Sequence, residues 1–389
     1  MTSRIQAQFD FLLEADKLRS VERQNLILDC SRPENSAEHS WHLALYALAL
    51  VPMAGDEVQI ERVIQMLLLH DLVEIDAGDH PIDEEHDWNA VEKAEQKAAE
   101  RLFGLLPDDQ AAEFHALWSE FEAAESADSR FAKQLDHCQP IFQTLCAEDP
   151  IPEHVEVVRN NLFGGRAARL EHSQPLLFKH AVALLEKAER ESDTDLEQRL
   201  AFLNEADALK LILRATRLGD GSRRENSAEH SWHIMLYAWV LSEYASSPID
   251  PFRVLQMLLL HDIVEIDAGD SPIHGGLSEQ ELANLEKLEL AAADRLFGLL
   301  PSEQSREFKS LWVEFESATS ADAVFAKSID RVQPLLLNLA NGGGSWRDYD
   351  VSMPQLEQRV GVKVNRGAPD VWSFVKAKVE PWFTEQGRI

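Results

Sequence analysis

The chain's 389 residues suit two domains of ordinary size better than one, each with ample length for a core. With 45% apolar and 27% charged residues it has a soluble globular composition, and its apolar runs break well short of the ~20 residues of a membrane span. Against 37 basic residues stand 68 acidic ones, a formal charge of −31 that repels phosphate backbones and argues against non-specific nucleic-acid binding.

The opening Met1-Thr2-Ser3-Arg4-Ile5-Gln6 leads into a polar amphipathic stretch without an apolar core, so no secretory leader is expected. Asn35 with Glu38 three residues later has the form of a capping box, which predicts a helix carrying His39 in its first or second turn. Residues 43–51 and 63–69 are apolar on nearly every side, as befits helices inside a domain, and the second run leads straight into His70-Asp71. Residues 90–103, rich in Ala, Glu, Lys and Gln, also read as helix. No alternation of apolar and polar residues is long enough to build a sheet, so the expected class is all-α. Cys30, Cys138 and Cys146 make neither a disulfide framework nor a close-spaced zinc set, and a reducing cytoplasm is the natural setting.

Past the midpoint the chain repeats itself. The nine letters E-N-S-A-E-H-S-W-H at Glu34–His42 recur at Glu225–His233, 191 residues on, and Q-M-L-L-L-H-D and V-E-I-D-A-G-D recur at the same offset. R-L-F-G-L-L-P then recurs at an offset of 194, which places three extra residues in a glycine-bearing loop around 271–276. Phe131-Ala132-Lys133 and Asp136 match Phe325-Ala326-Lys327 and Asp330. A period near 190 is a duplicated domain rather than a solenoid. The polar run 189–195 is the expected joint, giving domains 1–190 and 191–389 with divergent tails.

The chemistry concentrates at His70-Asp71 and His261-Asp262. A carboxylate beside a buried apolar helix needs a cation, a metal or a hydrogen-bond network. In both copies a second histidine lies upstream (His39, His230) and a second aspartate downstream (Asp136, Asp330). Two imidazoles and two carboxylates are enough to surround one divalent ion, and N/O donors without thiolate favour Mn, Co, Fe, Ni or Mg over a structural zinc. Such an ion lowers the pKa of its water enough to supply hydroxide near neutrality.

The order H…H-D…D, with A-E-H-S-W-H, L-L-L-H-D-L-V-E-I-D-A-G-D and F-A-K-Q-L-D around it, resembles the HD-domain superfamily of metal-dependent phosphohydrolases, in the branch that includes 5′-deoxynucleotidases. The resemblance implies that His39, His70, Asp71 and Asp136, and likewise His230, His261, Asp262 and Asp330, are metal ligands. It also points to Glu74 and Asp79 (Glu265 and Asp270) as acid/base or positioning groups. Glu74, four residues after His70, is expected on the same helical face. Arg23 and Arg214, each 16 residues before its histidine, and Lys133 and Lys327 are candidates for holding a substrate phosphate, with Arg32 and Arg223 as substitutes. His42 and His233 read as packing or supporting groups, and Trp41 and Trp232 as core. No other histidine is matched between the copies, which argues for one metal per half. The expected function is a phosphomonoesterase acting on a small phosphate ester, most plausibly a nucleoside or deoxynucleoside monophosphate, by attack of metal-bound hydroxide. The alternatives are a nucleotide-binding regulatory module with little turnover and a dinuclear iron oxygenase. Since relatives of this kind form homodimers, the two halves are expected to pack as an internal pseudo-dimer.

Overall fold

A computed structural model describes residues 3–81, 86–188, 193–271 and 278–389. Each half opens with an amphipathic helix (Arg4–Ala15; Thr194–Ala206), followed by a small two-stranded ribbon and a helix whose fourteen residues are all buried (Ser36–Ala49; Ser227–Val240). Next come Ile60–Leu69 and Pro251–Leu260, the one-turn helices Glu74–Ala77 and Glu265–Ala268, and three longer helices, the last being Ala127–Leu145 and Ala321–Ala340. The tails then differ. The first half adds Pro152–Gly164 and Pro175–Glu186, whereas the second ends in Gly344–Asp348 and, after shorter helical pieces, Pro369–Glu385. The inserted loop at 272–276 and the joint at 189–192 lie outside the described residues. No helix among the described residues is long and apolar enough to cross a membrane.

The all-α class holds, with one small ribbon added to each half. Glu22–Leu26 pairs antiparallel with Pro33–Asn35, and Leu213–Arg217 with Arg224–Asn226. Strands of five and three residues carry too little alternation to register in a sequence, yet each delivers an arginine, Arg23 or Arg214, to the same place in its half. The capping boxes form as predicted, with the Asn35 and Asn226 side chains accepting from the backbone at Glu38 and Glu229.

A helix buried on every side needs a partner beyond its own domain, and Ser36–Ala49 finds it in Ser227–Val240. The contacts between them are reciprocal, as a two-fold interface requires. Asn35 donates to Glu229 (2.9 Å) while Asn226 donates to Glu38 (2.5 Å). Trp41 donates to Leu259 O while Trp232 donates to Leu68 O. His42 Nε2 meets Leu203 O at 3.0 Å, and His233 Nε2 meets Leu12 O at 2.8 Å. The two halves therefore pack as an internal pseudo-dimer with a continuous hydrophobic core.

Candidate metal centre and active site

Helix Ile60–Leu69 ends one residue before the expected site, so His70 caps it and Asp71 stands in the following turn. Glu74 consequently opens a new one-turn helix instead of continuing the old face. Gly78 ends that turn at φ +81°, ψ 159°, a region open to glycine and strained for side chains, and Asp79 follows into the cavity wall.

Three side chains converge there from separate elements. His39 Nε2 lies 3.2 Å from Asp136 Oδ1, His70 Nε2 lies 3.9 Å from the same oxygen, and Asp71 Oδ1 is 3.0 Å from His70 Nε2. Donor atoms of His39, His70 and Asp136 all fall within 4.8 Å of one another. In the second half His230, His261 and Asp330 meet the same criterion, with His230 Nε2 to Asp330 Oδ1 again 3.2 Å and Asp262 Oδ1 3.0 Å from His261 Nε2. Both sets suit a divalent cation. His70 Nδ1 lies 2.9 Å from Leu67 O, a contact that fixes the proton on Nδ1 and turns the Nε2 lone pair into the cluster. That Nε2 is buried without a hydrogen-bond partner among the described residues, and so is His261 Nε2. An orphaned imidazole nitrogen facing carboxylates is the donor a metal would satisfy.

Burial alone would raise the Asp71 and Asp136 carboxyls, but the adjoining histidines, with Arg23 beside Asp71, hold both below their usual range. Glu74 goes the other way, since burial and the nearby Asp71 push it well above its usual range. Glu265 behaves likewise beside Asp262. Asp79 and Asp270 are also raised, chiefly by burial. Glu74 accepts from Ser36 Oγ at 2.5 Å, and Glu265 accepts from Ser227 Oγ at the same distance.

Arg23 donates to Asp71 (2.7 Å) and lies 3.8 Å from Glu74, and Arg214 donates to Asp262 (2.5 Å) and lies 3.7 Å from Glu265. Lys133 pairs with Glu122 (2.9 Å) over the Phe121 ring, and Lys327 pairs with Glu316 (2.9 Å) over Phe315. All four cations line the cavities that hold the metal-ligand candidates. Arg32 and Arg223 do not. Each forks onto a buried glutamate (Glu38, Glu229) and onto a backbone carbonyl of the other half, so they belong to the interface.

Sequence reasoning missed an outer layer. Glu34 Oε2 lies 3.4 Å from His39 Nδ1, and Glu225 Oε1 lies 3.5 Å from His230 Nδ1, the position from which a carboxylate orients a metal-binding imidazole. Glu34 in turn accepts from Lys210 (2.7 Å) and Glu225 from Arg19 (2.6 Å), each cation coming from the opposite half. Glu34 and Glu225 open the repeated nonapeptide, which was the available signal. Lys210 and Arg19 differ in identity and gave none. Glu34, His42 and Asp207 also approach one another at metal-like distances, but the Lys210 ammonium bonds to all three.

The HD domain family model matches residues 15–177 and again residues 206–372. The chain belongs to this family and carries its domain twice. Its relatives include the 5′-deoxynucleotidase HDDC2 of Homo sapiens, 28% identical over 193 residues that make up 48% of this chain and 86% of the relative. HDDC2 of Bos taurus is 31% identical over 36% of this chain and 67% of the relative, and the 5′-deoxynucleotidase of Erwinia tasmaniensis is 30% identical over 41% and 80%. A solved structure described as a predicted metal-dependent phosphohydrolase from Magnetospirillum magnetotacticum MS-1 is 42% identical, covering 51% of this chain and 96% of that one, at a TM-score of 0.47.

Proposed function

We propose that the chain is a metal-dependent phosphomonoesterase of the cytoplasm. It would release phosphate from nucleoside or deoxynucleoside 5′-monophosphates, with one centre in each of two domains, 1–190 and 191–389. The observation that carries this reading is the buried Nε2 of His70, without a hydrogen-bond partner among the described residues, gathered with His39 and Asp136 and repeated in the second half. The 5′-deoxynucleotidase relatives support the substrate class.

His39, His70, Asp71 and Asp136 would hold one divalent ion, as would His230, His261, Asp262 and Asp330; Mn, Co, Fe, Ni and Mg all suit these donors. When bound, such an ion activates water and takes up negative charge from the phosphoryl oxygens. The protein's own groups supply the rest. Arg23 and Lys133, or Arg214 and Lys327, hold the phosphate against the acidic wall and neutralise charge that grows on its oxygens during transfer. Glu74 or Glu265, its oxygen fixed by a serine hydroxyl, manages protons as water adds to phosphorus and the P–O5′ bond breaks, with the nucleoside leaving as an alcohol. Asp79 and Asp270 position groups at the rim.

Phosphate release from a panel of 5′-monophosphates, with Mn²⁺ or Co²⁺ and then with chelator, tests the reading. Release that depends on metal and disappears in the His70→Ala/His261→Ala double variant is expected. A metal-loaded protein that releases phosphate from no ester in the panel overturns it.

A further inference from the structure

The two halves share their metal-ligand candidates residue for residue, yet the spaces in front of them differ. The first opens into a cavity of about 900 Å³, the second into one of about 200 Å³. Ligands of nucleotide size occupy clefts of roughly 300–1,000 Å³, so only the first has room for a base and a sugar beside a phosphate.

The divergent tails account for the difference. In the first half, helix Pro152–Gly164 forms the far wall with His154 and Asn161, and Arg166 lies 4.8 Å above the ring of Trp88 across the opening. In the second half, helix Gly344–Asp348 brings Trp346 and Tyr349 to the corresponding wall. Trp346 is fully buried, 4.8 Å from Phe383 and 5.2 Å from Trp382 between ring centroids. Its helix is pinned where Asn338 accepts from Ser345 N and donates to Ser345 Oγ, each at 2.9 Å. Charge differs too. His137 follows Asp136 in the first half, whereas Arg331 follows Asp330 in the second. The Arg331 Nε is 3.5 Å from Asp330, buried and without a hydrogen-bond partner among the described residues. The smaller site therefore gathers Arg214, Lys327 and Arg331 around the lesser volume, whereas Arg23, Lys133 and Arg166 are spread around the larger one, with Arg166 held over Trp88.

Building on the phosphohydrolase reading, we propose that the two centres have diverged in substrate size: the first half admits a nucleoside monophosphate, and the second admits only a small phosphate anion, either orthophosphate or the ester of a small alcohol. The wall that Trp346 and Tyr349 build leaves no room for a base, and a compact dianion there is met by three cations within the lesser volume.

Titration calorimetry on the full Mn²⁺-loaded chain separates the sites with two probes. One is a nucleoside 5′-methylenephosphonate, whose C–P bond resists hydrolysis, and the other is orthophosphate. The expected stoichiometries are one phosphonate and two orthophosphates per chain. His70→Ala should abolish the phosphonate event, and His261→Ala should remove one of the two orthophosphate events. In the His70→Ala background, Tyr349→Ala, at a half-exposed position, should admit a phosphonate to the second site with at least a tenfold gain in affinity. Two phosphonates per chain overturn the proposal, as does none, a single orthophosphate, or a phosphonate event lost to His261→Ala instead of His70→Ala. Failure of every ester to release phosphate would sink the phosphohydrolase reading alone, because these binding counts remain readable without turnover.

Discussion

His70 shows how one side chain can be committed by its surroundings. With Nδ1 tied to Leu67 O, its Nε2 has no hydrogen-bond partner among the described residues and faces the cluster of His39, Asp71 and Asp136. Elemental analysis should find about two ions per wild-type chain, and His70→Ala or His261→Ala should each remove about one. An unchanged metal content in either variant would mean that the cluster is not where the ion sits. Glu34 acts one step further out, facing His39 Nδ1 at 3.4 Å. Glu34→Gln keeps the volume but weakens that partner, and a loss of roughly 10–100-fold in metal affinity at the first site is expected by competition with a fluorescent chelator. Arg23 faces carboxylates on one side and the cavity on the other. Arg23→Ala should lower kcat/KM on nucleotides by roughly 10²–10³-fold, the scale of losing one preorganised donor to a transition state. Arg23→Lys should recover little of it, because a point ammonium does not reproduce the planar fork.

At the scale of elements, the notable construction is the pair of buried cations that cross between halves. Lys210 lies in the short helical turn after Thr194–Ala206, fully buried, and reaches Glu34, Asp207 and His42. Burial works against its charge, but Asp207 and Glu34 keep the ammonium above its usual range, while burial and Lys210 together leave His42 neutral. Removing one partner of a buried ion pair strands the other, at a cost of roughly 3–5 kcal/mol. Lys210→Met should therefore lower the unfolding free energy read from a denaturant titration by an amount of that size. Adding Glu34→Gln to Lys210→Met should return part of it, since Asp207 is then the one carboxylate of the cluster left without the ammonium. A Lys210→Met variant as stable as wild type would show that the ammonium is dispensable. The helices, the capping boxes and the donor set were legible in the sequence because each rests on local periodicity or on letters repeated at a fixed offset. The ribbons carrying Arg23 and Arg214 were not, being too short for alternation to show. The helix break before His70 was not either, because its apolar run continues into Leu72 and Val73 without a marker. Lys210 and Arg19 were hidden for another reason, since their meaning depends on a glutamate from the opposite half, and that pairing is a property of packing.

For the molecule as a whole, duplication has turned a two-fold interface into a covalent one. Every residue of Ser36–Ala49 and of Ser227–Val240 is buried, and each helix spends one side on the other half. Taken alone, either half would expose that side together with Trp41 or Trp232. It would also leave Glu34 or Glu225 without its cation. An exposed apolar face of this kind is a liability that a monomer rarely tolerates. Its share of the chain's −31 charge would keep such a fragment in solution without supplying what the partner did. Residues 1–190 and 191–389 expressed separately should therefore give poorly folded or self-associating chains with weak metal retention. Co-expressed, they should combine one to one and recover both metal sites, because the interface is reciprocal and needs no covalent link to specify it. Size-exclusion chromatography with light scattering, alongside metal analysis of each fragment and of the mixture, reads this directly. A separate first half that is monomeric, cooperatively folded and holds its ion as tightly as the full chain would show that neither centre depends on the other half.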